Sequence, residues 1–386
     1  YLWPSLLNIN GFLGFMNTPI LKASKSNKTI SFYNEQEYEL WKQENNNGKN
    51  WTIKYYKGLG TSTGKEFKEY FKEKKTMNLY MNTEDKNEID MVFNKKRSEH
   101  RKDWLKQYER KKCLNMLDDT IPLGDFIHKE MIHFSKYDCD RSIPNIMDGL
   151  KVSQRKILFG AFKKNLIQEI KVAQLSGYIS EHSGYHHGEA SLNGAIVNMA
   201  QNFVGSNNIN LFNPNGQFGT RLQGGKDSAS ERYIFTNLNP ITKMIFNKTD
   251  EYILEYLNDD GTPVEPTYYL PIIPMILVNG TKGIGTGFST DIPCFNPKDL
   301  IHYILKKIED PDYSYDFIPY YRGFKGTIEK VDTHKFITKG LYKINKQKVI
   351  IQELPIGIWN EDYLQYLEKC IQDNVLKDYK DQSTDK

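Results

Sequence analysis

Cysteine is scarce in this chain and is never paired at short spacing. The four cysteines, Cys113, Cys139, Cys294 and Cys370, are scattered through 386 residues, and no CxxC pair occurs. Structural zinc sites need closely spaced ligands, and disulfide scaffolds need a dense cysteine framework. The scarcity therefore argues against both and is typical of a protein from a reducing compartment.

Long apolar runs and a strong charge imbalance are also missing. No apolar stretch approaches the roughly 18 residues of a membrane-spanning helix, so we expect no membrane partner. The net charge of +4 is weakly basic and does not by itself indicate a nucleic-acid partner, because the total hides local patches. The opening YLWPSLL lacks a starting Met and the basic n-region of a signal peptide, so we expect it to be a cut within a longer sequence.

The length of 386 residues predicts two or three domains. Residues 1–75 mix short apolar runs with helical periodicity, which predicts an α/β segment. Its expected strands lie at 29–33 and 51–56, and its expected helices at 35–44 and 64–74. Residues 76–120 are dense in charge and poor in core positions, which predicts an exposed helical linker.

The periodicity becomes strongly helical after residue 120. Helices are predicted at 125–134, 152–164 and 189–203, followed by a turn-rich β region at 216–234. This order is the outline of a winged-helix (helix-turn-helix) domain over 121–255. Residues 256–386 return to a mixed α/β pattern, with strands expected at 268–278 and 349–354 and a tight loop at 283–287. The chain is therefore predicted to be a mixed α/β multidomain protein.

The segment 217–236, QFGTRLQGGKDSASERYIFT, carries the strongest chemical signal. Its glycines let the backbone approach a bulky anion, and Arg221, Lys226 and Arg232 can pair with phosphate. Tyr233 directly follows Arg232 on a loop that enters an apolar strand. This arrangement suits in-line attack on a phosphodiester, with the Arg neutralising charge on the phosphoryl oxygens. The spacing alone favours a plainer alternative, in which Tyr233 is a core aromatic and Arg232 a solvated neighbour.

Segment 216–236 closely resembles the active-site loop of eukaryotic type IIA DNA topoisomerases. Further blocks resemble other parts of the same family, and they occur in the family's order. The end of its Toprim domain is resembled by KYYKGLGTST, and its tower by PIIPMILVNGTKGIGTG. Its winged helix is resembled by three blocks, RSIPNIMDGLKVSQRK, YHHGEASL and AQNFVGSNN. The resemblance implies the C-terminal part of a Toprim domain at 1–75, the linker at 76–120, the winged helix at 121–255 and an α/β tower domain at 256–386.

The resemblance also implies roles for individual residues. Tyr233 would form a 5′-phosphotyrosyl bond with DNA, Arg232 would stabilise the transition state, and His187, supported by His186, would contact the scissile region. The positions that match DNA contacts of the family are Lys57, Lys95, Lys96, Arg141, Lys151, Arg155, Tyr185 and Ser191. Such contacts neutralise phosphates and position the duplex without reading its sequence. For any single lysine, a solvated surface charge is the plainer alternative.

Ile284 lies between Gly283 and Gly285, where a β-branched side chain is hard to explain as part of a core. The matching isoleucine of the family intercalates between base pairs and bends DNA. Unstacking costs a few kcal/mol per step and is offset by the extra protein surface that bent DNA contacts.

Two expected functional parts of the family are missing from this sequence. Its metal-binding carboxylate motifs are absent, and Asp85, Glu88 and Asp90 are expected to be a solvated helix face, so no metal ligand is predicted here and Mg²⁺ is expected to bind upstream. Residues 280–287, GTKGIGTG, lack the Lys-Ser/Thr ending of an ATP-binding loop. Glu231 replaces the small residue or Pro that the family more often has, and we expect its carboxylate to point away from Arg232.

The resemblance implies a nuclear homodimer that cleaves and religates double-stranded DNA, with ATP-coupled strand passage in the complete enzyme. A bacterial or organellar gyrase-type subunit is one alternative, although the fusion of Toprim end, linker and winged helix in one chain argues against it. A DNA-binding and bending module without catalysis is the other.

Overall fold

The computed structural model describes residues 2–9, 11–56, 58–116, 118–185, 187–259 and 262–384. The chain divides into two compact units, the first made of residues 1–140 with 284–289 and the second of residues 141–283 with 290–386. Within the described ranges, none of the helices combines the length and the apolar composition that crossing a bilayer requires.

The first unit is built from two small sheets and short helices. Its strands are β1 (Leu13–Met16), β2 (Leu21–Lys25), β3 (Lys28–Phe32), β4 (Thr52–Tyr55), β5 (Thr76–Tyr80) and β6 (Thr120–Pro122). Its helices are α1 (Glu35–Glu44), α2 (Gly64–Glu73), α3 (Asp85–Phe93), α4 (Ser98–Lys106), α5 (Leu123–Phe126) and α6 (Ile132–Ser142), the last two joined by a π-helical turn, Ile127–Met131. One sheet has the antiparallel order β3-β2-β4, and the other has the order β1-β5-β6, in which β5 and β6 are parallel.

Local sequence signals explain where the first helices begin. The Asn34 side chain accepts a hydrogen bond from the Glu37 N–H at 2.8 Å and caps α1. Thr63 and Glu66 form a capping box at the start of α2, in which each side chain accepts from the other residue's N–H. These short-range bonds satisfy N–H groups that have no partner inside the helix.

The structure corrects the predicted linker at 76–120. Its strand β5 pairs with β1 and β6, and eight of its apolar residues are buried in the core of the first unit. The buried residues of this segment are Met77, Leu79, Ile89, Met91, Trp104, Leu105, Leu114 and Met116. Helices α5 and α6 also belong largely to this unit, so the boundary between the units lies near residue 140 and not at the predicted residue 121.

The second unit contains a three-helix core followed by irregular segments and hairpins. Its helices are α7 (Val152–Lys163), α8 (Val172–Ser183), α9 (Glu189–Ala200), α10 (Pro240–Ile245), α11 (Met275–Val278), α12 (Pro297–Glu309) and α13 (Asn360–Gln372). Its strands are β7 (Ile170–Lys171), β8 (Phe235–Thr236), β9 (Tyr256–Asp259), β10 (Thr262–Pro266), β11 (Thr281–Ile284), β12 (Ser289–Ile292), β13 (Thr327–Asp332), β14 (Lys335–Lys339), β15 (Leu341–Asn345) and β16 (Lys348–Glu353). The tip of the β11–β12 hairpin, residues 284–289, groups with the first unit.

Helices α7, α8 and α9 bury their apolar faces in one cluster, with Ile157, Leu175 and Ile196 completely inaccessible. The predictions at 152–164 and 189–203 therefore located real helices, whereas α8 was not predicted. The predicted strand at 268–278 is wrong, because its residues form an irregular segment that ends in α11.

A buried ion pair joins α7 to the segment before it. The Asp148 side chain is fully buried, and Arg155 is 5% exposed. One carboxylate oxygen accepts from Arg155 Nε at 2.7 Å and from the Tyr269 N–H at 3.0 Å, while the other accepts from the Leu150 N–H at 2.9 Å. Because each partner is desolvated, removal of one leaves the other as an unpaired buried charge.

We predict that Asp148→Ala lowers the free energy of unfolding by about 3–5 kcal/mol, because the Arg155 guanidinium loses its buried partner. Chemical denaturation followed by circular dichroism measures the change. The exposed Asp373→Ala serves as the control and should change stability by no more than about 0.5 kcal/mol. Equal stability of the two variants would contradict the prediction.

Candidate functional site

Tyr233 lies at the end of a long loop, immediately before β8. Its side chain is 72% exposed, whereas the adjacent Ile234 is 1% exposed and packs in the core of the second unit. The main chain here is fixed by hydrogen bonds from the Val172 N–H to the Ile234 carbonyl at 3.1 Å and from the Tyr233 N–H to the Ser230 carbonyl at 2.9 Å. The phenol is therefore presented to solvent by a fixed backbone, and the alternative of a core aromatic is wrong.

Internal hydrogen bonds hold the loop that leads to Tyr233. The Asp227 carboxylate accepts from the Thr220 N–H at 2.8 Å and from the Thr220 hydroxyl at 2.5 Å. The buried Gln201 amide donates to the carbonyls of Phe218 at 2.9 Å and Gly225 at 3.3 Å. Sequence reasoning missed Gln201 and Asp227, although both stand inside motifs that it singled out.

Residues near the C-terminal end of the chain contact the same loop and help to hold it. The Glu361 N–H donates to the Leu222 carbonyl at 3.1 Å, and the Glu361 carboxylate accepts from the Gln223 amide at 2.6 Å. Gly224 has a φ of +62°, and a Cβ at this position would collide with the Trp359 indole. Glycine is therefore required at Gly224 both for the backbone angle and for the close approach.

The cations of the loop fall into two groups. Arg232 and Lys226 are exposed, and the Arg232 guanidinium carbon lies 5.9 Å from the centroid of the Tyr233 ring. Arg221 instead forms an ion pair with Glu353 and donates to the Leu354 carbonyl at 2.7 Å. The predicted phosphate contact of Arg221 is thus corrected, because its guanidinium already ties the loop to β16.

Glu231 behaves as expected. Its carboxylate accepts a hydrogen bond from the Ser230 hydroxyl at 3.3 Å. In the described part of the chain, no ion pair joins Glu231 to Arg232. The Arg232 guanidinium beside Tyr233 is therefore not neutralised by its neighbour in sequence.

Arg155 and Lys151, both predicted to contact DNA, have different environments. Arg155 is buried in the ion pair with Asp148, so the prediction of a DNA contact is corrected: its guanidinium is inaccessible. Lys151 is half-buried beside a cavity of about 280 Å³ that Lys282 also lines. Partial burial lowers the pKa of the Lys151 ammonium.

The start of α9 carries or directly follows Tyr185, His187 and Ser191, whereas Arg141 lies near the end of α6. Arg141, His187 and Ser191 are exposed, and the rings of Tyr185 and His187 meet edge to face with centroids 5.4 Å apart. An open cavity of about 480 Å³ separates α9 from residues 225–231 of the Tyr233 loop. Helix α9 and the loop therefore face the same space. His186 and Lys57 lie outside the described residues.

Three predicted residues lie in the first unit. Lys95 and Lys96 are exposed on the short turn between α3 and α4, which the Asn94 side chain caps by accepting from the Lys96 N–H at 2.9 Å. Ile284 is 83% exposed at the hairpin tip.

The carboxylates of α3 do not fit a metal site. Asp85 is buried and accepts from the Gly124 N–H at 3.1 Å, Glu88 pairs with His128 at 2.9 Å, and Asp90 pairs with Arg97 at 3.3 Å. The expectation of a solvated helix face is corrected, because all three hold the fold together. Among the described residues, no group of three or more His, Cys, Asp or Glu side chains is arranged to hold a metal ion.

Glu66 organises the segment on either side of Lys57. Its carboxylate accepts from Tyr56 before the segment, from the Thr63 N–H after it at 2.7 Å, and from Lys54 at 2.9 Å. Burial would raise the pKa of Glu66, but the hydrogen bonds from these three residues outweigh it and hold the pKa well below its usual range. Burial and the bond to Glu66 raise the pKa of Tyr56 well above its usual range.

We predict that Glu66→Gln lowers the denaturation midpoint at pH 7, because the hydrogen bonds and ion pairs of Glu66 favour its charged form. A carboxyl group whose pKa is lowered by folding stabilises the protein above its unfolded pKa and loses this contribution as the pH falls toward its folded pKa. The difference between wild type and Glu66→Gln should therefore shrink as the pH falls below about 4.5. The exposed Glu69→Gln is the control, and a difference that grows toward low pH would contradict the prediction.

Comparisons with known proteins cover both units of the chain. The family model for the A subunit of DNA gyrase/topoisomerase IV matches residues 141–386, and the one described as the C-terminal associated domain of TOPRIM matches residues 16–139. A DNA topoisomerase 2 of Plasmodium falciparum is 50% identical over 99% of this chain and 28% of its own length. The mitochondrial DNA topoisomerase 2 of Dictyostelium discoideum is 48% identical over 100% of this chain and 30% of its own length.

A solved structure shows the same fold. The crystal structure of the Plasmodium falciparum topoisomerase II DNA-binding, cleavage and re-ligation domain has a TM-score of 0.80 and 49% identity, and the match covers 99% of this chain and 53% of that one. The chain spans less than a third of the length of the two curated relatives described above. The predicted mixed α/β fold is confirmed. The chain belongs to the type IIA DNA topoisomerases, and these relatives place it in the eukaryotic-type branch of the family.

Proposed function

We propose that Tyr233 is the nucleophile of a double-strand DNA cleavage and religation reaction. The observation that carries the proposal is the position of the Tyr233 phenol, which a fixed backbone presents to solvent beside the exposed Arg232. The similarity to a DNA-binding, cleavage and re-ligation domain supports it.

The reaction is a transesterification that conserves the energy of the broken bond. The Tyr233 oxygen attacks phosphorus, the bond from phosphorus to the 3′ oxygen breaks, and the phenol proton ends on that oxygen as a 3′ hydroxyl. The product is a 5′-phosphotyrosyl ester. Rejoining reverses the step, so no external energy source is needed for it.

Activation of the phenol requires nearby positive charge or a base. An ordinary tyrosine has a pKa near 10, so only about 0.1% is phenolate at pH 7, and recovery of this deficit corresponds to roughly 4 kcal/mol. We assign to Arg232 the stabilisation of charge on the phosphoryl oxygens, and to His187 a contact with the scissile region. Fixed positioning by the loop removes part of the entropic barrier.

The remaining exposed residues would bind and bend the duplex. We propose that Lys95, Lys96, Arg141 and Lys226 neutralise phosphates and that Tyr185 and Ser191 add contacts near the start of α9. Lys57 and Lys151 remain proposals on the family resemblance alone. Ile284 is proposed to insert between base pairs, and its 83% exposure on a hairpin tip is the geometry that such a wedge needs.

We propose that the enzyme to which this chain contributes is a homodimer in which each protomer cleaves one strand, with strand passage driven by ATP. The reaction is proposed to depend on Mg²⁺ held by residues outside this sequence, because the carboxylates of α3 are already engaged. The relatives are eukaryotic enzymes, which supports a nuclear location, although one of them is named mitochondrial.

A DNA-binding and bending module without catalysis is the second candidate for the isolated chain. The absence of a metal-binding cluster among the described residues favours it for this chain alone. In the catalytic proposal Tyr233 is essential for a covalent adduct, whereas in the module it contributes at most to noncovalent binding.

We predict that Tyr233→Phe abolishes covalent adducts and leaves noncovalent duplex binding within a few-fold of wild type, because only the nucleophilic oxygen is removed. The assay traps adducts with SDS, using a chimaera in which this chain replaces the matching segment of the full-length Plasmodium falciparum enzyme. Tyr252→Phe, which alters another strongly exposed tyrosine, is the matched control. Persistence of the adduct in Tyr233→Phe would rule out the nucleophile assignment.

We predict that Ile284→Ala reduces DNA bending, because the shortened side chain no longer holds a base step open. Fluorescence transfer between dyes at the two ends of a short duplex measures the bend at saturating protein. Ile308→Ala, at another strongly exposed isoleucine, should bend DNA as wild type does. Unchanged bending by Ile284→Ala would discard the wedge.

A further inference from the structure

The hairpin tip that carries Ile284 is seated between two helices of its own unit. A Cβ on Gly285 would lie 3.0 Å from Cys139 Sγ and 3.1 Å from Cys139 Cα, on α6. A Cβ on Gly287, which has a φ of +78°, would lie 3.0 Å from Arg101 Cβ and 3.2 Å from the Lys102 nitrogen, on α4. The two glycines therefore let the tip approach both helices more closely than any other residue allows.

Polar contacts also hold the hairpin tip against these helices. The Cys139 thiol donates to the Thr286 carbonyl at 3.3 Å, and the Gly285 N–H donates to the Phe288 carbonyl at 2.9 Å, which closes the tip on itself. The Lys102 ammonium lies 5.9 Å from the centroid of the Phe288 ring. Burial raises the pKa of the Cys139 thiol.

Helix α4 also holds the basic turn that precedes it. Arg101 Nη1 donates to the carbonyls of Met91 at 2.9 Å and Asn94 at 2.8 Å, where α3 ends and the turn with Lys95 and Lys96 begins. The same residue thus contacts the hairpin tip with its Cβ and the basic turn with its guanidinium. One side chain links two features that the proposed function assigns to DNA.

We propose that α4 and α6 clamp the hairpin tip, so that Ile284 and the turn of Lys95 and Lys96 act as one rigid DNA-bending element. Gly285, Gly287 and Arg101 are positioning residues for this element. The inference rests on the proposed role of Ile284 as a wedge. If Ile284 were on a mobile loop, the bases could restack and push it out of the duplex. Because the tip is packed against α4 and α6, it cannot move unless these helices also move.

The test compares Gly285→Ala with Gly177→Ala in the 386-residue chain, since a Cβ on Gly177 meets no atom within 4 Å. Bending is read by fluorescence transfer on an end-labelled duplex, and affinity by the anisotropy of the same duplex. We expect Gly285→Ala to lose most of the bending signal with affinity within a few-fold of wild type, and Gly177→Ala to match wild type.

Arg101→Lys provides an independent variant that keeps the charge but loses the reach and the planar guanidinium of arginine. It too should reduce bending more than affinity. Wild-type bending by either Gly285→Ala or Arg101→Lys, with circular dichroism showing a folded chain, would overturn the clamp while leaving the wedge intact. Wild-type bending by Ile284→Ala would instead remove the wedge on which the clamp depends.

Discussion

The outward position of the Tyr233 phenol depends on the burial of its neighbour Ile234. Tyr233 closes a turn through its N–H bond to the Ser230 carbonyl, and the anchoring of Ile234 in the core directly after this turn leaves the phenol in solvent. The hydrogen bond from Val172 to the Ile234 carbonyl fixes the same point of the backbone to the start of α8. An apolar contact thus sets the direction of the phenol that we propose as the nucleophile, and a change in the register of these two residues would bury it.

The arginines in and near the site have different roles, which depend on whether their guanidinium groups already have a partner. Arg221 and Arg155 use their guanidinium groups to hold the fold, through Glu353 and Asp148, whereas Arg232 remains exposed beside the phenol. The buried pairs fix the scaffold, and the exposed group is available to an anionic ligand. The loop therefore has fewer exposed cations than its sequence suggests, namely Lys226 and Arg232, of which Arg232 adjoins Tyr233.

The sequence predicted those elements whose signals are local. Helix α1 was predicted with its observed bounds and the start of α2 was correct, because Asn34 and Thr63 cap them within three residues. The apolar run at 268–278 was misinterpreted because buried segments of any kind are apolar, and only tertiary packing gives it its irregular path. In the supposed linker, Trp104 and Leu105 are buried although charged residues surround them.

In the candidate site, too, local signals were predicted correctly and tertiary contacts were not. Tyr233, Arg232 and Ile284 are exposed where motif resemblance led us to expect reactive or inserting groups. The misassigned arginines could not be recognised, since nothing in an arginine reveals its partner, which for Arg155 lies seven residues away and for Arg221 lies 132 residues away. The hydrogen bonds by which Gln201 and Glu361 hold the Tyr233 loop could likewise not be predicted without the fold.

The close approach of Gly285 to Cys139 has a consequence for the evolution of this surface. A side chain at position 285 can be tolerated only where residue 139 becomes smaller and the helix that carries it shifts slightly, and a bulkier residue at 139 would displace the tip. Although these two positions are far apart in the chain, they are expected to vary together among relatives, as a covarying pair.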